Sequence, residues 1–169
     1  GGTLVISADN NLGAAPASAT ADHLMIAEGA TLAVTSGFTL NANRGLTVGG
    51  TLDVADGQTL TYNGTVTGAG TGGLTKAGGG TLTLGGSGGN VTVGSGGVTV
   101  SGGTLRLARS SVPFDAGVFA TTTPLTIENG ATLEVAGMWN TGSANAITVN
   151  GGTLNFTNGS GPDSENYAN

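Results

Sequence analysis

The chain has 169 residues, 34 of them Gly and none Cys, and only 8% of it is charged, with a net charge of −6. That length suffices for one domain with a real core, and a 37% apolar fraction sets the chain apart from disordered polypeptides. Four basic residues are too few to neutralise several phosphates or to dock on anionic lipid, the Gly excess has no Gly-x-y period, and no apolar run is long enough to span a membrane, so nucleic-acid, membrane and collagen classes are all disfavoured.

In chain order, Gly1-Gly2-Thr3-Leu4-Val5-Ile6 opens in mid-pattern, as expected of a piece of a longer parent. Residues 7–23 read as a loop whose Ala-rich stretch is interrupted by Pro16. It ends on Asp22-His23. No second His and no Cys exists to complete a zinc site, so this pair reads as solvated polar residues.

Six copies of one unit follow: a short β-type run, a Gly corner, then Thr-Leu-x-apolar. They occupy 24–34, 46–54, 74–84, 98–107, 125–135 and 147–156, and their starting positions are unevenly spaced. A variable period suits coils that share a core and carry different loops. Alternation sorts the faces. Leu32/Val34, Leu52/Val54, Leu82/Leu84, Leu105/Leu107, Leu133/Val135 and Leu154/Phe156 form one inward set. Leu46/Val48, Val98/Val100, Leu125/Ile127 and Ile147/Val149 form the inward set of the preceding strand. The Thr before each Leu faces outward, where β-branched side chains suit a pleated surface. Less regular β runs fit between copies, at 59–67 and 90–93 and at Phe38-Thr39-Leu40. Three short strands per repeat predict an all-β, right-handed parallel β-helix, a three-sided solenoid of about seven coils over 1–157. In it Leu52, Leu82, Leu105, Leu133 and Leu154 are expected to share one column. Residues 158–169 read as a polar tail or the start of a loop.

Several motifs resolve to turns or dispersed charge. Gly68-Ala69-Gly70-Thr71-Gly72-Gly73 has dinucleotide-loop spacing but runs into a strand, not the helix that would hold a pyrophosphate. Gly85–Asn90 starts like a calcium-binding nonapeptide, yet it is a single copy with Asn where a carboxylate is required. Asp53 and Glu134 share the outward x position of the unit, about three coils apart, too far for one active site. No cofactor or metal is expected. Two excursions interrupt the pattern, 110–123 with Phe114 and Phe119, and 136–145 with Trp139. Aromatics on loops of a rigid solenoid are candidate contact points for a partner, so these three residues form the expected binding set.

Residues 55–107 carry a family resemblance. Gly73-Leu74-Thr75-Lys76, Gly78, Gly80-Thr81-Leu82-Thr83-Leu84 and the return Gly102/Gly103-Thr104-Leu105 resemble the passenger-associated repeat of Gram-negative autotransporters. Where that family commonly has Asn-x-Tyr-x-Gly between the halves, this chain has Ser87-Gly88-Gly89-Asn90-Val91. The resemblance implies a right-handed parallel β-helix exported across the outer membrane through a separate C-terminal barrel. The expected role is that of a secreted or cell-surface adhesin or scaffold without catalysis, acting by self-association or by host-cell or glycan contact. The alternatives are a polysaccharide-active β-helix, a passive stalk and, through the Thr faces, ice binding.

Overall fold

The computed structural model describes residues 1–85, 91, 93–108, 124–136 and 146–157. Its strands are β1 (Thr3–Ile6), β2 (Thr20–Ile26), β3 (Thr31–Val34), β4 (Phe38–Leu40), β5 (Arg44–Val48), β6 (Thr51–Val54), β7 (Thr59–Tyr62) and β8 (Val66–Gly68). There follow β9 (Leu74–Ala77), β10 (Thr81–Gly85), β11 (Val98–Val100), β12 (Thr104–Ala108), β13 (Leu125–Ile127), β14 (Thr132–Ala136), β15 (Ile147–Val149) and β16 (Thr153–Thr157). They stack as three parallel sheets. The first runs β1-β3-β6-β9-β11-β13-β15, the second β4-β7-β10-β12-β14-β16, and the third β2-β5-β8. The fold is a β-solenoid, as the repeat predicts.

Period-2 alternation builds the interior. Leu82, Leu105 and Leu133 are fully buried, while Thr81, Thr104 and Thr132 beside them lie half-buried on the outer surface. No single coil closes a core by itself, so the apolar residues of all three sheets merge into one continuous cluster along the stack. Gly at the corners permits close approach: a Cβ on Gly50 would strike the carbonyls of Ala27 and Ala30, and one on Gly80 those of Ala55 and Gln58.

Four expectations are corrected. The winding makes about five turns, fewer than the expected seven coils. A turn is complete only where the chain visits all three sheets, and the third sheet holds three strands plus an isolated bridge, Val66↔Val91, among the described residues. The 7–23 segment is not all loop. It holds a 3-10 helix at Asp9–Leu12, and β2 already begins at Thr20, so Asp22-His23 sits in a strand. At the far end Leu154 is only partly buried, and the inward-set residues Ile147, Val149 and Phe156 are exposed, because β15 and β16 are edge strands.

The fourth correction concerns the columns. Leu52 does not stack on Leu82. It lies between Leu32 and Lys76 in the first sheet, whereas Leu82 lies between Leu60 and Leu105 in the second. Likewise Leu46/Val48 belong to the third sheet, and Val98/Val100 to the first. The opening strand β1 and the Thr-Leu strands of the first two copies, β3 and β6, share the first sheet, and those of the last four, β10, β12, β14 and β16, share the second. Between them β7 and β8 occupy one strand position each in the second and third sheets, so the chain travels one and a third turns from Thr51 to Thr81 before the motif recurs. The motif moves on by one face.

Candidate functional surface

This change of face produces an unbroken outer file. Thr3, Thr31, Thr51, Thr75, Thr99, Thr126 and Thr148 are successive register partners across the first sheet. Three come from the Thr-Leu position and four from the strand that precedes it. Because both positions carry Thr, the file survives the shift. At the ~4.8 Å strand spacing it is a straight row of hydroxyls and methyls. Beside it run Val5, Ala33, Asp53 and Ala77, which sets the Asp53 carboxylate next to the row.

The second sheet carries a shorter Thr file, Thr59, Thr81, Thr104, Thr132 and Thr153. Its neighbouring column reads Thr61, Thr83, Arg106, Glu134 and Asn155. Arg106 Nε donates to Glu134 Oε1 at 2.9 Å, and Thr157 Oγ1 donates to the same oxygen at 3.3 Å. Glu134 is therefore engaged by its own neighbours. Asp53 lies on a different sheet, which removes any pairing of these two carboxylates more firmly than coil distance alone.

On the third sheet, β2 bulges between Thr20 and Leu24, and Asp22 takes a left-handed backbone, φ 56°. The bulge puts the Asp22 carboxylate on the Thr47 hydroxyl, which also bonds the Thr67 hydroxyl at 2.8 Å. Asp22 thus satisfies Thr47, an outward residue that is nonetheless buried.

Among the described residues two cations are fully buried, and neither stands out in a reading for sites. Arg44 binds Asp9 through Nε at 2.9 Å and Nη2 at 3.1 Å, and reaches the carbonyls of Leu12 and Gly13. It ties the 3-10 segment of the first coil to the second. Lys76, inward between Leu52 and Val100, donates from Nζ to the carbonyls of Ala77, Gly78 and Gly102 at 2.7, 2.9 and 3.1 Å. Burial pushes its ammonium down to about 8, with Asp53 acting against the shift. Parity finds both: Arg44 is two before inward Leu46, and Lys76 two after inward Leu74. Their hydrogen bonds are internal, so both serve the fold.

Phe114, Phe119 and Trp139 lie outside the described residues. The roots of their segments are described. Ala108 and Ala136, where β12 and β14 end, are register partners, as are Leu125 and Ile147, where the chain resumes. Both excursions therefore leave from, and return to, adjacent coils. Among the described residues no group of three His, Asp or Glu side chains is placed to hold a metal. Comparison with protein-family models, curated proteins and solved structures finds no match to this chain.

Proposed function

We propose that this chain is a non-catalytic segment of a secreted or cell-surface β-helical passenger, exported across an outer membrane, that acts as an adhesin or scaffold. The observation that carries the reading is the unbroken file of seven threonines on a seven-stranded parallel sheet. Such a surface is long, regular and nearly uncharged. It suits repeated weak contacts, whose summed strength grows with the number engaged. The resemblance of residues 73–105 to the autotransporter passenger repeat supports export and surface display. Recognition of a host-cell or glycan surface is assigned to the excursions carrying Phe114, Phe119 and Trp139, whose roots lie on adjacent coils.

The test is binding of the purified chain to cells and to immobilised glycans, with Trp139→Ala and Phe114→Ala alongside. Both variants should bind several-fold more weakly at unchanged melting temperature. A parallel loss of stability would assign those aromatics to the fold, leaving self-association along the Thr faces. Release of reducing ends from a polysaccharide panel would replace the reading with that of an enzyme, and no binding at all would leave a passive stalk.

A further inference from the structure

The change of face between β6 and β10 carries a consequence for folding. The unit Gly-Gly-Thr-Leu-x-apolar recurs at 49–54 and 79–84 with apolar residues at both inward positions and polar residues, Thr and then Asp53 or Thr83, at the outward ones. If β10, not β9, paired with β6, Thr81 would lie beside Thr51, Leu82 beside Leu52 and Leu84 beside Val54, with Gly80 beside Gly50. The strand before would put Leu74 beside Leu46 and Thr75 beside Thr47. Every apolar residue of those strands would still face inward. The coil from Thr51 to Thr81 would be only slightly longer than the first coil, which runs from Thr3 to its partner Thr31. Register in Gly-rich repeated strands is weakly specified when one alignment buries nearly the same side chains as another.

We infer that this sequence has two windings, and that the β7–β8 segment is the lock that selects the observed one. Only the observed winding inserts β7 and β8 into the stack. It buries Leu60, Tyr62 and Val66, and Tyr62 donates its hydroxyl toward the carbonyls of Arg44 at 2.5 Å and Thr65 at 3.1 Å. In the second winding these residues leave the core as a loop, and all Thr-Leu copies stack in one column. That winding would line up Asp53, Arg106 and Glu134 on the same outer column, whereas the observed one keeps Asp53 apart from the other two. A file of seven Thr would stand in either winding, so what the lock sets is which charged side chains flank that file. The inference about winding stands whether or not the chain binds anything.

Disulfide trapping reads the winding directly, since the chain has no Cys and neighbouring parallel strands bring Cα atoms within bridging distance. With the lock intact, T51C/T75C should cross-link and T51C/T81C should not. Two variants open the lock. One is Leu60→Ser with Tyr62→Ser. The other deletes Gln58–Thr65, which makes the Thr51-to-Thr81 interval as short as the coil from Thr126 to its partner Thr148. The inference predicts that T51C/T81C becomes the dominant cross-link in at least the deletion, with a β-type circular dichroism spectrum retained. It is overturned if neither variant forms that cross-link, either because T51C/T75C persists or because neither chain folds.

Discussion

Leu105 sits between Leu82 and Leu133, fully buried on both sides, so removing its side chain opens a cavity that neither neighbour can fill without moving its own coil. Leu105→Ala should cost about 2–5 kcal/mol in denaturant unfolding, whereas Leu4→Ala, at a position 52% exposed on an edge strand, should cost far less. Lys76 makes a prediction of the opposite kind. Its ammonium titrates near 8 in the folded chain and near 10.5 when unfolded. Between those values the unfolded state holds the extra proton, so stability rises with pH. Melting temperature should climb from pH 8 to 10, and the climb should vanish in Lys76→Met. Tyr62, raised above 10.0 by burial, opposes the trend only beyond that window. Inward and outward faces are legible residue by residue, because alternation fixes them once one Leu is placed. The buried cations obey the same parity, yet they escape a reading of the sequence because a charged side chain ordinarily marks a surface position.

Elements are less legible where the chain leaves the motif. The first coil shows why. Between its first-sheet and third-sheet strands stands the 3-10 segment Asp9–Leu12, packed beside β4, and no apolar alternation announces it. A clamp ties the segment to the second coil, in which Asp9 accepts from buried Arg44 and from the backbone N–H of Asn41. The Arg44 guanidinium holds the Asp9 carboxyl below its ordinary 3.8, against the opposing effect of burial. Stability from this clamp is present above about pH 3.8 and is lost as pH falls through the lowered folded value. Acid melts should therefore show a drop below that pH, with early hydrogen exchange at residues 9–13. Asp9→Asn should begin from the lower stability and show a smaller acid-induced drop. The bulge at Asp22 is hidden for the same reason: a carboxylate turned onto Thr47 leaves no periodic trace in the sequence.

For the molecule as a whole, the repeat announces a parallel solenoid and an outward Thr before each Leu, and both hold, while the rows those Thr form are re-sorted between two sheets. What it conceals is the phase. The interval from Leu46 to Leu74 and that from Val98 to Leu125 are nearly equal in length. Among the described residues the first contains two additional strands, β7 and β8, and it carries the motif to a new face. The second returns β13 to the place beside β11 in the same sheet. Length alone does not separate these cases; in the first, the alternating Leu60 and Tyr62 mark the inserted strand β7. Methyl NOE spectroscopy on the whole chain tests this most directly. The Leu82 methyls should show contacts to Leu60 and Leu105 and none to Leu52, while Leu52 contacts Leu32 and the Lys76 side chain. Strong Leu52–Leu82 contacts, with Leu60 free of both, would contradict the account.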